Sequence, residues 1–216
     1  MAKSEETREK ILNAALDLFR RNGFEKTTMR EIASEAGVAL GSAYYYFASK
    51  EELVLAFYEK ASNDMFPRIE AALEHAEGLE KRLSIILDEK FEYFAPNRLF
   101  LGALSGHAAD PHNVLSPFSP RTAAIRQRDI VNFEYALRDT RVPKDLTGHL
   151  PRLLWMYQMG LILFWTYDRS KNQKRTAQLR EKSLSLVVTA IKLVGLPLMK
   201  PLRKRVVDLL DAVEEE

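Results

Sequence analysis

Apolar residues recur along this chain with a helical period, and no stretch shows convincing period-two alternation. Residues 4–22 place Ile11, Leu12, Ala15, Leu16 and Phe19 on one face, and Asn22-Gly23 ends the segment with a glycine suited to the left-handed C-terminal turn. A second segment opens on Thr28-Met29-Arg30-Glu31, a capping box in which a threonine oxygen accepts from the third amide and a glutamate reaches back. Met29, Ile32, Ala33 and Ala36 follow at helical spacing, and Gly37 closes it after about two turns. A third short helix is predicted over 39–47. Ser49-Lys50-Glu51-Glu52 repeats the capping-box pattern and launches a longer helix to about residue 76, with Pro67 as an expected kink. Further helices are predicted over about 79–95, 97–109, 118–140, 147–169, 174–195 and 199–213, separated by Gly78, Pro96, Asp110-Pro111, Ser116-Pro117, Pro143 and Gly195-Leu196-Pro197. Residues 110–120 form the one long loop, and no repeat of fixed period is present.

Two short helices joined by a glycine turn behind a longer first helix have the geometry of a helix-turn-helix. Small and apolar residues lock the pair: Ala33 at the crossing, Gly37 at the turn, and Val38, Ala43 and Phe47 facing inward. Gly41, Ser42, Tyr44 and Tyr45 are left facing outward. Gly41 allows close approach of a nucleic-acid backbone, Ser42 can donate to a phosphate or base edge, and the tyrosines offer hydroxyls and flat faces for thymine methyls or sugars. The blander alternatives are that Tyr44-Tyr45-Tyr46 only packs a small bundle and that Arg30 only pairs with Glu31 or Glu35 on the surface.

Charge adds nothing to the nucleic-acid case. The chain of 216 residues has a net charge of +2, and residues 1–60 hold nine Lys/Arg against ten acids. An apolar fraction of 46% and a charged fraction of 29% describe an ordinary globule long enough to bury a core. Having no cysteine, the chain forms no disulfide, thiolate metal site or thiol nucleophile. The first residues are charged and lack the apolar stretch of a signal peptide. The longest apolar run, about 153–165, falls short of the roughly 20 residues a bilayer requires. The expectation is a cytoplasmic protein without membrane contact.

The segments Thr27-Thr28-Met29-Arg30-Glu31-Ile32-Ala33, Ala36-Gly37-Val38, Gly41-Ser42-Ala43-Tyr44-Tyr45-Tyr46-Phe47 and Ser49-Lys50-Glu51-Glu52-Leu53 together resemble the DNA-binding domain of the TetR family over about residues 8–55. The resemblance implies an all-α fold: an N-terminal three-helix DNA-binding bundle at 1–49, then a larger helical ligand-binding and dimerisation domain at 50–216. It implies a ligand-responsive regulator, not an enzyme, that grips an inverted-repeat operator in double-stranded DNA as a homodimer and is released by a small hydrophobic effector, with no cofactor. It places Thr28 and Arg30 near phosphates, Leu40, Gly41, Ser42, Tyr44 and Tyr45 on the recognition helix, and Lys50 as a phosphate clamp at the flank. Three positions depart from the pattern. Ala39 stands where the family often has Ser or Thr, removing a helix cap worth on the order of 1 kcal/mol. Leu40 and Ala48 stand where it often has Lys, which weakens the salt-dependent phosphate contribution.

In the C-terminal half many large aromatics suit both a core and the walls of an apolar pocket. The candidate lining is Phe94, Phe100, Leu104, His107, Phe133, Trp155 and Met159. The helices at 147–169 and 174–195 are apolar around much of their circumference and so require partners on two sides. The resemblance implies that these helices form a four-helix dimer interface, with Gly160, Leu163, Ser183, Leu186 and Ala190 as its candidates; the alternative is two central helices of a monomer. Arg203-Lys204-Arg205 reads as a solvated strip. His107, Asp110 and His112 have metal-type side chains, but a helix end at Asp110-Pro111 does not require them to converge, so no metal is expected. They keep a helical enzyme as a rival reading. The missing lysines keep another, an interaction module whose helix-turn-helix no longer binds DNA.

Overall fold

A computed structural model describes residues 2–108 and 110–214, except for the side chains of Ala2, His107, Ala108, Val213 and Glu214. Helix is the only regular structure among the described residues. The elements are α1 (Ala2–Asn22), α2 (Met29–Glu35), α3 (Leu40–Tyr46), α4 (Lys50–Glu74), α5 (Leu79–Phe94), α6 (Arg98–Ala108), α7 (Ala123–Ala136), α8 (Leu150–Tyr167), α9 (Lys174–Val194) and α10 (Lys200–Glu214). Short 3₁₀ turns precede α6, α7, α9 and α10, two of them opening on Pro120 and Pro197. Pro67 lies inside α4, which continues through it.

Contacts divide the chain into two compact units, residues 1–65 with 93–127 and residues 66–92 with 128–216, so α4, α5 and α7 each contribute to both. The first unit has an aromatic centre. Phe19 of α1 stacks on Phe100 of α6 at 5.1 Å between ring centroids, and Phe57 of α4 lies 6.1 Å from Phe100. Ile11, Leu12, Ala15, Ile32, Ala33, Ala43, Phe47, Leu53 and Val54 close around them. Residues 93–127 join this unit because Phe100, Leu104 and Leu115 belong to its core.

The loop from 110 to 119 is held by its own polar side chains. Asp110 accepts from the His112 amide at 2.9 Å, Asn113 from the Leu115 amide at 2.9 Å, and Ser116 from the Phe118 amide at 3.2 Å. These are side chains mimicking backbone turns. α7 starts at Ala123, later than the expected 118, because these turns and Pro120 occupy the intervening residues.

The second unit is pinned by buried polar contacts. Arg82 of α5 donates to the carbonyls of Ala76 at 3.0 Å and Ala136 at 3.2 Å, and to Asp139 at 2.6 Å. Lys90 of α5 donates to both carboxylate oxygens of Asp129 on α7, at 2.7 and 2.9 Å. Phe91 meets Trp165 of α8 edge to face at 5.3 Å. Between α8 and α9, Asn172 and Gln173 adopt φ values of 52°, in the left-handed region. Asp168 holds this turn by accepting from the amides of Ser170 and Thr176 and from the Thr176 hydroxyl. Burial works to raise the Asp168 pKa, but those hydrogen bonds outweigh it and hold the carboxyl far below the usual carboxylate range.

Candidate nucleic-acid interface

α2 forms where its sequence contains both halves of a capping box. The Glu31 amide donates to Thr28 Oγ1 at 3.2 Å, and the Thr28 amide donates to the Glu31 carboxylate at 2.8 Å. The Thr28 hydroxyl and amide hydrogen bonds lower the Glu31 pKa from its ordinary value of 4.5. Gly37 then turns the chain at φ 67°, a conformation that side-chain-bearing residues rarely adopt, and the Val38 amide closes the turn on the Ala33 carbonyl at 2.9 Å.

α3 is locked from behind. Ala43 and Phe47 are buried, and Arg8 of α1 sits over the Phe47 ring at 5.0 Å from its centroid. Tyr46 is half-buried and shares a hydrogen bond with Ser4 of α1 at 3.2 Å. It meets Tyr45 edge to face at 5.2 Å. The outward edge has the expected composition: Gly41 is exposed, Leu40 and Ser42 are half-buried, Tyr44 is 50% exposed and Tyr45 82%. As its sequence requires, Ala39 provides no side-chain cap to α3.

Arg30 is exposed and has no ion-pair partner among the described residues, because its two candidate acids are taken. Glu31 belongs to the capping box, and Glu35 pairs with Arg21 at 2.6 Å. Lys50 serves another contact. Its ammonium donates to the carbonyls of Phe24 at 2.7 Å and Glu25 at 3.3 Å and lies 4.6 Å from the Phe24 ring centroid. It therefore fastens the turn between α1 and α2 to the start of α4. Glu52 does not complete the second capping box. Its amide donates to Ser49 at 3.4 Å, while its carboxylate accepts from Arg121 at 2.6 Å. These two long-range contacts have no periodic signature and went unseen in the sequence; an aromatic ring preceding a short turn was the only cue to the first.

The edge thus presents a glycine, a serine and two tyrosines outward on a packed backing. A profile described as bacterial regulatory proteins, tetR family, matches residues 11–57, and one described as tetracyclin repressor-like, C-terminal domain, matches residues 82–210. The chain belongs to the TetR family of transcriptional regulators. Among curated relatives, the fatty acid metabolism regulator protein of Bacillus subtilis is 26% identical over 85 residues, 39% of this chain and 44% of that protein. The regulator BetI of Agrobacterium fabrum is 35% identical over 85 residues, 39% of this chain and 41% of its own length. The matched part thus spans less than half of these relatives. Solved structures extend the likeness in fold to about 85% of the chain. The transcriptional regulator FadR from Bacillus subtilis in complex with stearoyl-CoA superposes with a TM-score of 0.66 at 17% identity, over 85% of this chain and 98% of that one. The SmeT–triclosan complex superposes with a TM-score of 0.62 at 20% identity, over 86% and 91%.

The residues expected to line a pocket fall in both units, and each has its own surroundings. Phe94 is half-buried, with Phe57 at 5.9 Å, while Phe100 and Leu104 lie in the core of the first unit. Phe133 and Trp155 are buried in the second unit, and Met159 is half-buried there. The His107 side chain lies outside the described residues. No cluster of three metal-type side chains occurs among those described.

The candidate interface residues of α8 and α9 are outward-facing except for one. Gly160 and Ala190 are exposed, Leu163 is 48% exposed and Leu186 70%. Ser183 instead is half-buried and bonds Tyr157 at 2.7 Å, fastening α9 to α8. Arg203 corrects the expectation of a solvated strip. It donates to Asp145 at 2.8 Å and to the Val194 carbonyl at 2.9 Å, because the end of α9 leaves carbonyls that α10 can satisfy, while Lys204 and Arg205 remain exposed. No single helix among the described residues is long and apolar enough to cross a membrane.

Proposed function

We propose that this TetR-family protein is a cytoplasmic homodimeric repressor that binds an inverted-repeat operator and leaves it when a small apolar effector occupies the C-terminal half. The observation that carries the DNA half of the reading is the uncovered Gly41–Ser42–Tyr44–Tyr45 edge of α3, backed by buried Ala43 and Phe47. Thr28 and Arg30 flank it as phosphate contacts, Arg30 having no competing acid. Leu40 adds apolar contact at the first turn. Lys50, whose ammonium is held by the Phe24 and Glu25 carbonyls, takes a positioning role: it fixes the segment entering α2 against the phosphate backbone.

Dimerisation rests on α8 and α9. Met156, Leu163 and Tyr167 on one helix and Leu179, Leu186 and Leu193 on the other recur at near-heptad spacing and are exposed in the protomer. Gly160, without a side chain, and Ala190 keep the same face low, and a would-be Cβ at Gly160 meets nothing within 4 Å in the protomer. Apolar stripes of this kind are buried by a partner helix pair. With two recognition helices related by a two-fold axis, the operator is an inverted repeat whose half-sites lie about one helical turn apart. Effector chemistry follows from the apolar interior and is supported by the solved relatives that hold stearoyl-CoA and triclosan. Ligand and DNA are coupled reciprocally, typically by about 1–3 kcal/mol.

The experiment is selection of bound sequences from random duplexes, followed by gel shifts at several salt concentrations. A palindromic consensus is expected. Replacing Tyr45 by Ala removes an 82%-exposed side chain, so it leaves folding intact and abolishes specific retention. Unchanged operator affinity removes Tyr45 from the readout, and dimerisation without any sequence selection favours a helix-turn-helix that serves only interaction.

A further inference from the structure

Gln158 lies on the buried face of α8, 1% exposed, and neither its Oε1 nor its Nε2 has a hydrogen-bond partner among the described residues. Buried polar side chains are nearly always paired, and an orphaned one requires an explanation. The neighbours on this face make it more conspicuous. Leu154 and Trp155 precede Gln158 by one turn and Leu161 and Trp165 follow it, all of them buried. One amide thus sits in an otherwise apolar helical stripe, the composition of a small-molecule site with a single orienting group. Other buried polar groups of the same unit are engaged: Lys90 with Asp129, Arg82 with two carbonyls and Asp139, and Asp168 with the start of α9.

Both amide atoms are orphaned, so which end carries the oxygen does not affect the argument. The group that completes them must donate and accept side by side. An ester only accepts. A carboxylate satisfies Nε2, opposes Oε1 and brings a buried charge that needs its own cation. A carboxamide or lactam does both through a cyclic pair of hydrogen bonds and stays neutral.

We propose that Gln158 reads the polar group of the effector, and that this effector carries a neutral carboxamide or lactam on an apolar body. This deepens the effector-release reading above and rests on it. The chain has two tryptophans, Trp155 and Trp165, and both share the face with Gln158, so intrinsic fluorescence reports directly on the site. The probes are decanamide and methyl decanoate, which have the same apolar body and differ in the ability to donate. In the wild-type protein decanamide binds at least tenfold more tightly than the ester. In Gln158→Met, which keeps the length of the side chain, the preference falls below twofold; Gln158→Leu serves if the first variant does not fold. Equal affinities in the wild type, a preference that survives the substitution, or no response to either probe overturns the assignment. Gel shifts without probe, run on the same preparations, test the regulator reading separately. Retained operator binding with no probe discrimination sinks only the amide assignment, whereas absent operator binding in the wild type sinks the regulator itself.

Discussion

Replacing Lys90 by Met takes a cation out of the second unit and leaves the Asp129 carboxylate without it. The two side chains are 5% and 12% exposed, and the ammonium is shared between both carboxylate oxygens. Methionine follows the lysine stem, so packing is largely retained and the loss is electrostatic. Removing one partner of a buried pair costs about 3–5 kcal/mol. Because Asp129 lies at the edge of the interior, the lower end, about 3 kcal/mol, is the expected value here. Urea unfolding followed by far-ultraviolet circular dichroism at fixed protein concentration measures it. With a slope of about 2–3 kcal/mol per molar, the midpoint falls by about 1–1.5 M. Replacing Asp129 by Leu as well removes the stranded charge and restores most of the midpoint, since an apolar pair of similar volume is often neutral. A drop under about 0.3 M for the single variant, or a double variant as unstable as the single, refutes the view that this pair is a buried electrostatic tie between α5 and α7.

Three more measurements follow. Thr28→Ala deletes the side-chain half of the α2 cap and lowers stability by about 1 kcal/mol, seen as a melting temperature roughly 2–4 °C lower in a chain of this size. The same box has a pH signature. The Thr28 hydroxyl and amide lower the Glu31 pKa in the folded state, so its contribution is present above the ordinary value of 4.5 and is lost as pH falls through the folded one; Glu31→Gln flattens that acid limb of the stability curve. Leu186→Glu puts a charge at the most exposed leucine of the α9 stripe, and if the proposed dimer forms there, sedimentation velocity shifts from dimer to monomer; an unchanged dimer removes this face from the interface.

What was legible in the sequence was local. The capping box at Thr28 and Glu31, the glycine turn at Gly37 and the apolar period of each helix are each set by residues close in sequence, and all reappear in the structure. The outward edge of α3 followed from the same period once Ala43 and Phe47 were assigned inward. Illegible were contacts whose partners lie far along the chain. Lys50 finds carbonyls 25 and 26 residues earlier, and Glu52 finds Arg121 69 residues later. Tyr157 bonds Ser183 across 26 residues, which turns a candidate interface residue toward α8 of the same chain. Gln158 was hidden for a different reason: periodicity places a residue on a face but does not tell whether its polar atoms are matched there.

The first turn of α4 has two latches of unlike character. Lys50 grips main-chain carbonyls of the segment entering α2, a partly buried hold supported by the Phe24 ring, whereas Glu52 and Arg121 meet in the open, their side chains 42% and 57% exposed. Rising ionic strength slackens the second and largely spares the first. Salt that loosens the tie between the start of α4 and the segment leading into α7 therefore leaves the start of α4 fastened to the residues ahead of α2.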